Sequence, residues 1–188
     1  MTRRDDIFEL PADLPVPVDD GLARHLPGAG LAPVPLPATT GGEVDLSAVA
    51  GRVVVYCYPR TGRPDEDPID GWDLIPGARG CTPQSCGFRD HHLELEALGA
   101  RVFGLSTQTT GYQREAAERL HLPFPLLSDA DLRFTTEMGL PTFEAASMRL
   151  LKRLTLIALD GTIEHVFYPV FPADRNAEDV VAWLAARG

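Results

Sequence analysis

The stretch Pro76-Gly77-Ala78-Arg79-Gly80-Cys81-Thr82-Pro83-Gln84-Ser85-Cys86-Gly87-Phe88-Arg89-Asp90 holds two of the chain's three cysteines and joins a long Gly/Pro-rich loop to a helical pattern. Pro83, two residues after Cys81, suits a first helical turn, where a missing N–H costs nothing, and apolar residues recur afterwards at Phe88, Leu95 and Leu98. The pattern predicts a helix from Cys81 to about Leu98. Cys81 then stands at a helix N-terminus, where unpaired backbone N–H groups and the positive end of the helix dipole favour a thiolate over a thiol. Arg79 adds positive charge close by in sequence, and together these mark a reactive cysteine.

Cys86 lies five residues on. At that spacing two helical Cα atoms stand roughly 8 to 9 Å apart. A disulfide needs about 4.4 to 6.8 Å, so the two sulfurs can join only if the first turns unwind. Any cycle that uses both thiols includes local unfolding, which Gly80 and Gly87 would ease.

The surrounding text alternates strands and helices. Arg52 to Tyr58 is a Val/Tyr run continuous enough for a strand buried on both faces, with Cys57 as a core residue inside it. The loop from Pro59 to Gly80 is far longer than most strand-to-helix connections; it carries five acids and a lone Trp72, and reads either as a lid or docking surface or as an ordered insertion. Arg101 to Ser106 predicts a strand. Thr110 with Gln113 reads as a capping box, with Tyr112, Ala116 and Leu120 on one face of the helix that follows. Pro123 to Asp129 predicts a short strand before a helix from about Asp131 to Gly139. Asp160-Gly161 is a hairpin turn between Arg153–Leu159 and Thr162–Tyr168, and Val180, Trp183 and Leu184 give a closing helix its apolar face. Upstream, Gly41-Gly42 marks a hairpin within 32–47. Residues 1–30, rich in Pro and charge, read as a partly ordered arm with a short helix around Asp19 to His25. The expected architecture is an α/β domain over 31–188, its central mixed sheet flanked by helices and preceded by that N-terminal extension.

A net charge of −10 argues against nucleic acid and anionic membranes as partners. No apolar run is long enough to span a bilayer, and the opening Met1–Asp6 leads into acids and prolines instead of the apolar core of a signal peptide. A reducing cytoplasm is the expected compartment, where three cysteines point to thiol chemistry and not to a disulfide framework.

The segment Gly80–Asp90 resembles the Q-type peroxiredoxins, or bacterioferritin-comigratory proteins, whose helix reads Gly-Cys-Thr-x-x-x-Cys-x-x-Arg-Asp. Leu122 to Asp129 is similar to the family's LPFPLLSD segment, and Arg153-Leu154-Thr155 is similar to its Arg-x-Thr strand. The resemblance implies a thioredoxin-like fold and a thiol-dependent peroxidase acting on hydrogen peroxide or alkyl hydroperoxides, with no cofactor and no metal. It implies that Cys81 attacks the peroxide and becomes a sulfenic acid, that Cys86 resolves it as an intramolecular disulfide, and that Arg153 holds the peroxide and the thiolate. A thioredoxin or glutaredoxin-like dithiol would recycle the disulfide, and either a monomer or a homodimer is compatible with it. Gln84 falls where many relatives carry Glu.

One departure stands out. The family usually reads Pro-x-x-x-Thr/Ser-x-x-Cys, whereas counting back from Cys81 places Ala78 at the hydroxyl position and Leu74 at the proline. Pro59 and Thr61, across the long loop, are the candidates to supply the missing group. Two rival uses of the same thiols remain: a disulfide oxidoreductase or redox sensor without efficient peroxide turnover, and an interaction module whose acidic loop binds a partner while the thiols stay inert. A metal site from Cys81, Cys86, His91 and His92 is disfavoured, because these residues cannot readily converge on a tetrahedral ion from one helix.

Overall fold

A computed structural model describes residues 7–187; Met1–Asp6, which opens the expected arm and carries the signal-peptide reading, and Gly188 lie outside the described residues. Strands β1 (Pro35–Pro37) and β2 (Glu43–Asp45) pair antiparallel across the glycine turn, placing Leu36 in the core. Then β3 (Arg52–Cys57) runs through the middle of the molecule. Its side chains alternate between two apolar clusters: Val53, Val55 and Cys57 join one, while Val54 and Tyr56, with Tyr58 just beyond, join the other. That two-sided burial is the physical reason for the unbroken apolar run.

The predicted helix is two helices. Helix α1 (Cys81–Asp90) ends at His91, whose φ of −97° and ψ of 9° break the helical path, and α2 (His92–Ala97) follows. Strand β4 (Ala100–Ser106) leads to α3 (Thr110–Arg119). The cap of α3 is Thr109, which accepts from the Tyr112 N–H at 3.4 Å; Gln113 is therefore free of any capping role and turns inward, donating to Ser106 Oγ at 2.9 Å and to the Leu127 carbonyl at 2.7 Å. Tyr112 is only partly buried, so the inner face of α3 is Gln113, Ala116 and Leu120.

Strand β5 (Leu126–Ser128) is followed by α4 (Arg133–Met138), which starts two residues later than expected and stops at Gly139 in the left-handed region. The buried Asp129 carboxylate accepts from the Phe134 and Thr135 N–H groups at 3.0 and 2.7 Å, satisfying the first turn of that helix. A further hairpin follows, β6 (Thr142–Ala145) and β7 (Met148–Leu151), then the expected pair β8 (Leu154–Leu159) and β9 (Thr162–Phe167), and finally α5 (Asn176–Ala185).

The main sheet has the order β5-β4-β3-β8-β9. Within it β3, β4 and β5 are parallel, whereas β8 runs antiparallel to both β3 and β9. The sheet is thus mixed and flanked by helices on both faces, as expected of a thioredoxin-like α/β fold. One face is covered by α1, α2 and α5 through Phe88, Leu95 and Val180. The other is covered by α4 and by the N-terminal segment, with Ala23, Leu26 and Phe134 in its core. Between Asp19 and His25 the chain forms turns closed by Arg24 N–H to the Gly21 carbonyl and Leu26 N–H to the Ala23 carbonyl; the short helix expected there is not formed. Among the described residues no helix is long and apolar enough to cross a membrane.

Candidate active site

Cys81 is the first residue of α1. The turn that delivers it depends on Gly80, whose φ of +109° lies where a side chain is strained, and where a Cβ would stand 2.8 Å from the Ala173 Cβ and 2.9 Å from the Leu10 Cδ2. The sulfur is nearly buried, at 4% exposure for the residue, so its surroundings are protein groups and their charge is felt with little screening.

Arg153 reaches the same point from the other side of the site. It directly precedes β8, whose Leu154 pairs with Cys57 at the end of β3, and this register carries the side chain under the start of α1. The guanidinium is 3% exposed and fans out to five acceptors. Nε donates to the Gly77 carbonyl at 3.2 Å, Nη1 to Gln84 Oε1, and Nη2 to the Ala78 carbonyl at 3.0 Å, the Arg79 carbonyl at 3.2 Å and the Cys81 sulfur at 3.2 Å. The Cys81 thiol in turn points to the Ala78 carbonyl, 3.7 Å away.

The electrostatics of that fan are unusual. A buried cation is costly unless a negative group balances it. Among the described residues no carboxylate forms an ion pair with Arg153; its partners are carbonyls, an amide and a thiol. Of these five partners the Cys81 sulfur alone belongs to an ionisable acid. Arg79, the cation singled out from the sequence, instead pairs with Asp73 at 3.3 Å and contributes its carbonyl to the fan.

Gln84 was noted in the sequence only for standing where relatives carry Glu. It is 1% exposed and bridges two elements: its Oε1 accepts from Arg153, and its Nε2 donates to Asn176 Oδ1 at 2.9 Å at the start of α5. Thr155 Oγ1 donates to the same Asn176 oxygen at 2.7 Å. Asn176 was missed altogether, since nothing near it in the sequence signals a role. The chain Thr155–Asn176–Gln84–Arg153 fixes which way the Gln84 amide faces, and a neutral amide here leaves the Arg153 charge unspent.

Cys86 lies on α1 and is half-buried; all three cysteines are free thiols. Burial pushes its thiol up from the ordinary value, a shift that Asp90 reinforces and that the neighbouring Arg89 and Arg119 oppose. With both cysteines inside one regular helix, their Cα atoms stand roughly 8 to 9 Å apart, beyond disulfide reach. The Tyr56 phenol donates to Ser85 Oγ at 3.0 Å, and Phe88 stacks on Tyr56 with ring centroids 4.5 Å apart, so the turn between the two cysteines is held to the sheet. Cys57, as expected, is a core residue, and burial drives its thiol far up.

Among the described residues Thr61 makes no hydrogen bond to Cys81. Its N–H and hydroxyl both donate to Gln108 Oε1, at 3.0 and 3.2 Å, and the Gln108 amide donates back to its carbonyl. Among the described residues the sulfur of Cys81 is bonded to Arg153 and Ala78 only. The long loop is ordered by its own contacts: Arg60 donates to Tyr112 Oη at 3.0 Å, and that phenol donates to Glu66 at 2.6 Å. His91 and His92 face Glu94 and Glu96 on α2, and no group of three metal-ligating side chains converges among the described residues.

A family model described as Redoxin matches residues 24–181. Over 154 residues the chain is 34% identical to Peroxiredoxin Bcp of Escherichia coli K12, covering 79% of this chain and 88% of that protein. It is 33% identical over 163 residues to the chloroplastic Peroxiredoxin Q of Sedum lineare, covering 86% and 79%. Among solved structures, Peroxidoxin BcpB from Mycobacterium tuberculosis superposes with a TM-score of 0.68 at 29% identity, over 85% of this chain and 96% of that one.

Proposed function

The chain belongs to the Redoxin family, in its Q-type peroxiredoxin branch, and from that premise we propose that Cys81 is the nucleophile of a thiol-dependent peroxidase, with Arg153 as its charge partner and Cys86 as its resolving thiol. The observation that supports this reading best is the buried Arg153 guanidinium, 3.2 Å from the Cys81 sulfur and without a carboxylate partner among the described residues.

The steps follow from those groups. The Cys81 thiolate attacks the distal peroxide oxygen; the O–O bond breaks, an S–O bond forms, and the departing oxygen leaves as water or an alcohol after taking up a proton. Arg153 and the first N–H groups of α1 would stabilise the negative charge that spreads during that displacement. The product is a sulfenic acid at Cys81. The Cys86 thiol then attacks this sulfur, water leaves, and a Cys81–Cys86 disulfide forms once the first turns of α1 have unwound. An external dithiol of the thioredoxin or glutaredoxin class returns both cysteines to thiols, and such a donor belongs to a reducing compartment such as the cytoplasm. The missing hydroxyl at Ala78 puts more of the peroxide-holding task on Arg153 and the helix N-terminus.

Steady-state turnover of hydrogen peroxide with thioredoxin as donor tests this. Many turnovers per protein in the wild type, and none in Cys81→Ser, are expected. A single turnover followed by a stall would contradict the peroxidase and favour the redox sensor.

A further inference from the structure

Beside Arg153 lies a cavity of about 330 Å³ with largely apolar walls. Gly77 and Arg153 both line it, and these are the groups joined by the Arg153 Nε hydrogen bond that helps aim the guanidinium at the Cys81 sulfur. Phe143 and Val170 line it as well. So do Val16, Pro17 and Val18 of the N-terminal segment, and these three residues lie outside the 24–181 span that the Redoxin family covers. The volume is at the small end of the range for ligand pockets.

Val16 and Val18 are 65% and 82% exposed, although they line this cavity. Their position is not accidental, because the segment is anchored just beyond them: the Asp20 carboxylate accepts from Lys152 Nζ at 2.6 Å and from the Tyr168 phenol at 2.8 Å. Lys152 and Tyr168 both line the cavity, so its walls and the anchor are the same structure. Hydrogen peroxide gains nothing from apolar walls, whereas a hydroperoxide with a hydrocarbon tail covers them when its O–O group meets Arg153.

We propose that this N-terminal segment, through Val16 and Val18, is a substrate-selecting element that favours organic hydroperoxides with an uncharged apolar tail over hydrogen peroxide. The inference rests on Cys81 being the peroxidatic cysteine. A hydrocarbon group seated in an apolar pocket is typically worth about 10- to 200-fold in specificity. Replacing the wall by charge should remove roughly tenfold of it.

The test compares wild type with Val16→Asp/Val18→Asp, measuring the ratio of the second-order rates of Cys81 oxidation by cumene hydroperoxide and by hydrogen peroxide. A roughly tenfold fall in that ratio is expected. A ratio equal to that of the wild type would overturn the proposal. So would an equal ratio accompanied by concentration-dependent dimerisation, which would mean that a second copy of the chain occupies the groove. A binding readout separates this claim from the peroxidase itself. Trp72 lies 6.2 Å from Phe143, centroid to centroid, and in Trp183→Phe it is the one remaining tryptophan. Its fluorescence should change saturably with cumyl alcohol, and do so more weakly when Val16 and Val18 are also replaced. Saturable binding without any peroxide oxidation of Cys81 would sink the peroxidase and leave the apolar pocket standing; oxidation by both peroxides without saturable binding would sink only the pocket.

Discussion

Arg153 holds together five acceptors from the loop, from α1 and from Cys81, so its replacement acts on chemistry and on architecture at once. Arg153→Met should slow the oxidation of Cys81 by peroxide about 10²- to 10³-fold, the usual cost of losing a donor aimed at developing charge. Arg153→Lys should restore only part of it, because a single ammonium cannot reproduce a planar fork. Stopped-flow rates decide; a Lys variant as fast as wild type would show that charge alone matters. At this scale the sequence carried the chemistry further than the geometry. Cys81, Cys86 and Arg153 were singled out through their motif, and the structure brings Cys81 and Arg153 into contact. Gln84 was visible but its task was not, because that task depends on Asn176, which lies 92 positions away. The partner of the Thr61 hydroxyl was not legible either, because Gln108 carries no sequence signal.

In the proposed cycle helix α1 is both a platform and a hinge. As a platform it is fixed by the Tyr56–Ser85 hydrogen bond and the Gln84–Asn176 bond, and as a hinge it must give up the turn between Cys81 and Cys86. Oxidation should therefore abolish amide-exchange protection over residues 82–86 while sparing β3 and β4, and a dithiol should restore it. Protection unchanged in the disulfide form would contradict the unwinding step. Helices and strands with strong periodicity were read correctly, and the errors fall where local chemistry is ambiguous. The hairpin β6–β7 went unseen because its turn residues Ala146 and Ser147 adopt φ of 48° and 60° without the Gly or Asn that normally announces such a turn. The break at His91 leaves the apolar spacing of the two helices continuous, so no pattern marks it.

On the scale of the whole molecule, the N-terminal segment joins the core through Ala23 and Leu26 and reaches the active-site face through Asp20. Burial raises the Asp20 carboxyl, but the hydrogen bonds from Lys152, Tyr168 and the Leu22 N–H outweigh it and hold the group at about 2. The folded-state value is thus below the unfolded one of about 3.9. Its contribution to stability is fully present above about pH 4 and is lost as pH falls through about 2. The urea midpoint of wild type should exceed that of Asp20→Asn at pH 6, and the gap should close on acidification and shrink in high salt. A gap independent of pH would mean that Asp20 acts through shape and not through charge. Pro-rich text hid this docking from sequence reasoning, because scattered apolar residues without a period give no sign of what they pack against.

In the proposed reaction Cys81 is oxidised first and Cys86 resolves it. One equivalent of hydrogen peroxide added to the reduced protein, followed by non-reducing peptide mapping, tests it directly, with Cys86→Ser alongside. A Cys81–Cys86 disulfide in the wild type and a sulfenic acid trapped at Cys81 in Cys86→Ser are expected. Oxidation that begins elsewhere, or a Cys81 that stays reduced, would contradict it.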